Sequence, residues 1–206
     1  VEEALRIAEA HGGNEEGGAN TVTVISMGPE RATEAARKAL SMGANDAILI
    51  SDPVLAGADA VVTAEVLANV ILKGEFDIVI CGTESTDARM SVVPAMMSEK
   101  LGCAQLTFAS KVSVDPAAKK VSITRVTEAG VDEVHGEFPC VISVVEKINE
   151  PRYPSFKGIM AAKKKVIDVR DFASTGAQFT KSWSAVVDSA PRPPRAGGVV
   201  VTDDGT

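Results

Sequence analysis

The chain has 206 residues, 45% of them hydrophobic, with 28 acidic against 21 basic side chains and a net charge of -7. That size predicts one globular domain, or one domain with a long arm, and the acidic balance argues against a nucleic-acid binder, which needs a basic face. Three scattered cysteines (Cys81, Cys103, Cys140) lack metal-ligand spacing, no apolar run reaches membrane-spanning length and no signal peptide is visible, so a reduced, non-secreted protein without direct membrane insertion is expected.

In chain order, Val1, Leu5 and Ala8 set a helix pattern that runs to about His11, with no initiator Met, which predicts a start inside a longer protein. Gly12–Gly18 reads as a flexible surface link. Thr21–Met27 alternates and is rich in β-branched residues, a strand stopped by Gly28 and Pro29. Glu30–Met42 reads as a helix with Gly43 as its stop. Ala47–Ile50 is the next strand, and Ala60–Lys73 the next helix, with Val62, Val66 and Val70 on one apolar stripe beside Leu67 and Ile71. Strands separated by helices of this length imply right-handed βαβ units around a parallel sheet.

Asp77–Val93 follows, and the rest of the chain is organised around it. Ile78, Val79 and Ile80 form a short buried strand that ends at Gly82 in a hydroxyl-rich loop, before a helix beginning near Val92. In open α/β sheets ligands sit beyond the carboxyl ends of strands, where the free N–H groups of the next helix suit a phosphate. Thr83, Ser85, Thr86 and Ser91 add hydroxyl donors, Gly82 lets backbone approach a ligand, and Arg89 can reach an anion. A nucleotide phosphate is therefore expected here. The alternative is an ordinary βα turn whose Ser, Thr and Asp residues only cap the helix, Asp87 capping its own loop. The loop matches neither the dinucleotide fingerprint nor the Walker A pattern, so local sequence leaves both readings open.

After Leu101 the rhythm changes. Lys111–Val114 and Val121–Val126 flank an Asp115–Pro116 turn as a hairpin, with further strands at Val131–Val134 and Phe138–Val145, so this half is β-rich and partly antiparallel. Asn149–Lys165 then sets two prolines in an extended loop before a short helix ending in Lys163, Lys164 and Lys165. These lysines read either as a functional basic face or as a solvated helix end stabilised by the dipole. From Asp171 apolar content thins, and Ser189–Arg195 is proline-rich, an arm that needs a partner to be ordered. The domain is accordingly placed at 1–170 and the arm at 171–206. His11 and His135 are too few and too far from Cys81 for a metal site or a Cys-His dyad, and no nucleophile has a base beside it, so neither catalytic nor metal-ligating residues are expected.

Asn149–Tyr153 followed by Ile159–Lys165, together with Ser41–Ala44, Thr107–Ser110, and the pattern Arg125, Glu128, Gly130 and Pro139–Ser143, resembles the electron transfer flavoprotein beta-subunit family across the whole chain. Ala129 and Asp132 depart from the family's signature without altering its spacing. The resemblance implies a three-layer Rossmann-like fold (adenine nucleotide alpha hydrolase-like), a parallel sheet with an added antiparallel β region and an extended C-terminal arm. It implies an electron-carrier subunit rather than an enzyme. Such a subunit pairs with an alpha subunit that holds most of the redox-active FAD and is clasped by the arm, while beta buries a structural AMP.

The family's AMP loop corresponds here to Gly82, Thr83, Glu84, Ser85, Thr86, Asp87, Ala88, Arg89, Met90, Ser91, Val92 and Val93, with Met27 on the adenine side. Glu84 brings a carboxylate to this loop and is expected to point away from the phosphate and cap backbone N–H groups. The family's opening strand, which also touches AMP, lies outside this sequence. Phe156 matches the anchor of the family's docking loop, with Tyr153, Pro154, Ile159 and Met160 beside it; the alternative is that Phe156 packs back on its own domain. Arg125 is read either near the flavin edge or paired across strands with Glu128 or Glu133.

Transient partners implied are acyl-CoA and related dehydrogenases and the quinone oxidoreductase that accepts electrons. The expected compartment is the bacterial cytoplasm, or the mitochondrial matrix in a eukaryote. Two rivals remain: an electron-bifurcating or nitrogen-fixation-linked relative with a second FAD in place of AMP, and a stand-alone adenine-nucleotide sensor or adenylating enzyme.

Overall fold

The structure, a computed structural model, describes residues 1–178, 181–194 and 197–198. Helix α1 (Glu2–Ala10) is followed by strand β1 (Thr23–Met27), helix α2 (Thr33–Met42, entered through a 3-10 turn at Glu30–Ala32), β2 (Asp46–Ile50) and α3 (Ala60–Leu72). Then come β3 (Ile78–Gly82), α4 (Val93–Leu101), β4 (Ala104–Asp115), β5 (Lys120–Thr127), β6 (Gly130–Glu137), β7 (Cys140–Val144), α5 (Phe156–Lys164), β8 (Asp168–Arg170) and α6 (Phe172–Thr175).

The strands form two sheets, a parallel one in the order β1-β2-β8 and a mixed one in the order β3-β7-β4-β5-β6. In the first, alternate residues feed opposite layers, as the period of a strand requires. Val24 and Ala47 meet Ala36 and Leu40 of α2 and Ala162 of α5, while Ile25, Met27, Ile48 and Ile50 meet Val62, Val66 and Val70 of α3. This is the three-layer α/β arrangement expected. Helix α3 holds four valines, which individually lower helix propensity by roughly half a kcal/mol each. Burial of each such side chain stabilises by roughly 1.5–3 kcal/mol, so packing decides the conformation.

In the mixed sheet β3, β7 and the first half of β4 run parallel, and β4, β5 and β6 form an antiparallel meander. The register of β4 shifts between Leu106 and Ala109, where Phe108 takes φ +63° and its N–H donates to Ser143 Oγ at 2.9 Å. There the strand passes from its parallel partner to its antiparallel one.

The βα rhythm reads as one sheet, and the structure divides it. Among the described residues no ladder joins β1 to β3, yet Ile25 of β1 and Val79 and Cys81 of β3 pack on one cluster of Ala64, Ile71, Met97 and Val141. The unpaired edges of β1 and β3 therefore border a common gap.

The Gly12–Gly18 stretch is not a flexible link. Asn14 is buried, donating through Nδ2 to Gly43 O and Asn45 Oδ1 at 2.8 Å each, and Asn45 Nδ2 donates back to Asn14 O at 2.6 Å. Asn20 Nδ2 donates to the carbonyls of Ala8, His11 and Gly13. Side-chain amides thus replace the ladder that this turn lacks.

At the other end, residues 171–177 belong to the domain. The Phe172 N–H donates to Asp52 Oδ2 at 3.0 Å, Thr175 is fully buried, and Ala177 packs beside α3. The exposed arm begins later. It is fastened where Trp183 and Ser184 N–H donate to Asp59 Oδ2, the same carboxylate whose other oxygen caps α3 at Val62 N–H. Of the expected arm, residues 179, 180, 195, 196 and 199–206, and with them Arg195 of the proline-rich run, lie outside the described residues.

Candidate functional site

Gly82 ends β3 at the carboxyl end of its parallel ladder, and the chain crosses an exposed loop before α4 begins at Val93. Thr83 Oγ1 donates to Val144 O at 2.9 Å, tying the start of the loop to the end of β7. Asp87 Oδ1 accepts the Ala88 N–H at 2.8 Å, and the Ser85 hydroxyl with that N–H holds the Asp87 carboxyl below its usual range. Asp87 thus caps its own loop. Arg89 N–H donates to Ser85 O at 3.1 Å, closing a turn, and Arg89 and, two residues on, Ser91 take positive φ.

The sequence puts Glu84 on backbone N–H groups; instead its Oε2 accepts from Ser91 Oγ at 3.2 Å. That bond engages the loop's one glutamate and occupies the Ser91 hydroxyl.

Helix α4 starts without a side-chain cap. Val92 occupies the cap position with no cap bond, and Pro94 in the first turn lacks an N–H. The N–H groups of the first turn and the positive end of the helix dipole are therefore offered to an anion. The exposed Ser85 and Thr86 hydroxyls and the Arg89 guanidinium lie on the loop before it. A Cβ at Gly82 would find only Glu84 O, at 4.0 Å, so the protein does not fill the space that this glycine leaves open. Ala88 and Met90 are exposed, and Val92 and Val93 half-buried. Met27, at the carboxyl end of β1, is half-buried and packs against the α3 cluster.

The second candidate surface is carried by the loop before α5 and the first turns of that helix. Tyr153 is 97% exposed and Phe156 80%, with Ile159 and Met160 also exposed and Pro154 half-buried, so Phe156 does not pack back on its own domain. Ser155 Oγ caps α5 by accepting Gly158 N–H at 3.0 Å. Below the patch α5 is held tightly. Arg37 Nη1 donates to Ala162 O at 2.6 Å and also to Lys165 O, and Lys165 Nζ donates to Ala44 O and Asn45 O at 2.8 Å each. Lys163 and Lys164 are solvated, but Lys165 is a structural cation and not part of a free basic tail.

Arg125 also departs from its expected pairing. Its Nε donates to Thr107 O at 2.8 Å, and Glu133 accepts instead from Thr124 Oγ1. The three cysteines are free thiols. Burial pushes Cys81 up to about 11 and Cys140 up to about 12, so neither is a ready nucleophile. Among the described residues no cluster of His, Cys, Asp and Glu could hold a metal, and no helix is long and apolar enough to cross a membrane.

The contact that sequence patterns missed is between the loop before α5 and α1. Arg152 is bonded to Glu2 and Glu9, and Asn149 to Glu3, across some 140–150 positions of chain that no local pattern links.

The family model described as electron transfer flavoprotein domain matches residues 1–175. Across its full length the chain is 45% identical to the electron transfer flavoprotein subunit beta of Mycobacterium tuberculosis, covering 78% of that protein. It is 34% identical to the subunit of the same name from Megasphaera elsdenii over 89% of this chain and 72% of that one. It is 35% identical to the protein FixA of Azotobacter vinelandii over 85% of this chain and 62% of that protein.

Proposed function

The chain belongs to the electron transfer flavoprotein beta-subunit family, which includes FixA, and from that premise we propose that it is the beta partner of a heterodimeric electron carrier. In this reading it braces the assembly with an AMP and brings electron donors to a flavin held mostly by the alpha subunit. Electrons from acyl-CoA and related dehydrogenases pass through that FAD to a quinone oxidoreductase.

The observation that carries the reading is the uncapped start of α4 behind the exposed Gly82–Val93 loop. The first-turn N–H groups, the Thr86 hydroxyl and Arg89 would hold the phosphate, Ser85 joining them by turning its hydroxyl from Asp87, and Met27 would line the adenine side. A phosphate there offsets the positive helix end and rigidifies a loop that few contacts otherwise restrain.

Tyr153, Pro154, Phe156, Ile159 and Met160 form the docking surface. It is a small apolar patch on a firmly held helix, suited to a complex that must form and release with each donor. FAD supplies the redox chemistry when bound; this subunit's residues position and do not react. The Trp183 arm, fastened at Asp59, is the segment that reaches the alpha subunit.

Denaturing the purified heterodimer and counting its nucleotides tests the reading. One AMP and one FAD per heterodimer is expected. Two FAD and no AMP would assign the loop to a second flavin. A monomer that hydrolyses ATP would replace the carrier reading with an adenylating enzyme or sensor.

A further inference from the structure

Arg152 behaves unlike its neighbours. Tyr153 and Phe156 project into solvent, while Arg152 turns onto α1. Its Nε and Nη2 donate to Glu2 Oε2 and Oε1 at 2.9 and 3.0 Å, and its backbone N–H donates to Glu2 Oε2 at 3.0 Å. Nη2 also reaches Glu9 Oε2 at 3.0 Å, and Nη1 reaches Glu9 Oε1. Arg6 Nε secures Glu2 from the far side at 3.0 Å, and Asn149 Nδ2 donates to Glu3 Oε2 at 2.7 Å.

One guanidinium thus meets two carboxylates in the forked geometry that only Arg provides. Helix α1 is itself fixed by the burial of Leu5 and Ala8. Glu2 is buried although charged, which is stable only because its oxygens are fully occupied by these donors. Between the 3-10 turn at Glu146–Ile148 and the cap at Ser155 the loop has no ladder or helix of its own. Among the described residues its hydrogen bonds run to α1.

We infer that Arg152, clamped by Glu2 and Glu9, is a positioning residue that presents Tyr153 and Phe156 in their binding pose to the electron-donating dehydrogenase. The inference rests on the docking reading proposed above. An aromatic anchor on a loose loop must be ordered at each encounter, and pre-ordering removes that penalty from the affinity. The guanidinium need never touch the partner.

The test uses the assembled heterodimer with a reduced acyl-CoA dehydrogenase as donor. Arg152→Ala is expected to raise KM for the dehydrogenase about five- to tenfold while kcat, AMP and FAD content and subunit pairing stay unchanged. Arg152→Lys, which can reach one carboxylate but not fork, should restore part of the loss. Combining Arg152→Ala with Phe156→Ala should add nothing to Phe156→Ala alone, because without the anchor its orientation is immaterial. A KM unmoved by Arg152→Ala, in a protein where Phe156→Ala raises it, overturns the inference and leaves docking intact. A KM unmoved by Phe156→Ala overturns the docking reading itself. Should Arg152→Ala fail to assemble, Glu9→Gln decides: a raised KM supports the clamp, and an unchanged one removes it.

Discussion

Gly158→Ala sets two physical effects against each other. By helix propensity the change should stabilise, since alanine is favoured over glycine inside a helix by about 1 kcal/mol. By packing it should destabilise, because a Cβ at position 158 would lie 2.5 Å from the backbone oxygen of Ser41. A carbon meets a carbonyl oxygen at about 3.3 Å at closest, so α5 would have to retreat from α2 by roughly 0.8 Å. That motion pulls on the Arg37 bond to Ala162 O and both Lys165 bonds to Ala44 O and Asn45 O, now 2.6–2.8 Å long. Overpacking costs about 1–3 kcal/mol, and losing a hydrogen bond from a charged donor about 1.5–3 kcal/mol. Against these the propensity gain is the smaller figure, and a net loss of about 2–3 kcal/mol is expected.

For a domain of this size that lowers the melting temperature by about 5–10 °C. Since α5 carries Phe156, Ile159 and Met160, the dehydrogenase KM should rise as well. Thermal melting of the heterodimer, with amide exchange in α5, measures both effects. A variant that melts at or above the parent's temperature would show that α5 yields without strain, and the rigid docking surface would have to be abandoned.

Glu2→Gln should flatten the acid limb of the stability curve. Arg152 holds the folded Glu2 carboxyl at about 2, against 4.5 when unperturbed, so its contribution is complete above pH 4.5 and is lost as pH falls toward 2. That contribution is roughly 2–3 kcal/mol, and unfolding free energies of parent and variant between pH 5 and 2.5 should converge. Parallel curves would mean that the clamp adds no stability. Asn45→Ala should destabilise by about 2–4 kcal/mol, because it orphans the Val22 N–H and leaves Asn14 Nδ2 with Gly43 O alone, and it should speed proteolysis between Gly12 and Gly18. Unchanged cleavage there would restore the flexible-link reading.

Much of the fold was legible because burial obeys period. The Val62, Val66 and Val70 stripe, the alternation through Ile25 and Met27, and the Ile78–Ile80 run all lie where their spacing places them. The Asp115–Pro116 turn marked the hairpin for the same local reason. What failed were residues whose partners lie far along the chain. Asn14 in a glycine-rich run looks like linker until Asn45, 31 positions on, receives it. Lys165 reads as the last of three solvated lysines, yet it alone reaches the α2–β2 turn. Arg125 has Asp132 opposite it in the register but finds the Thr107 carbonyl beside the irregular pairing of β4. The gap beside β1 is invisible to periodicity, which reports that a strand exists and not what pairs with its edge.

At the candidate site, the glycine, the hydroxyls and the helix start could be read directly. The Glu84–Ser91 bond could not, because loop dihedrals at Arg89 and Ser91 decide it. Arg152 lies within the Asn149–Tyr153 run that carries the family resemblance, and nothing local points it toward α1.

What sits before α4 is decisive. A structure of the intact heterodimer purified with its native ligands should find one adenylate, its phosphate on the first-turn amides of α4 and the Ser85 and Thr86 hydroxyls, with Glu84 still bonded to Ser91. Only solvent in that place, or a phosphate held elsewhere in the subunit, would contradict it.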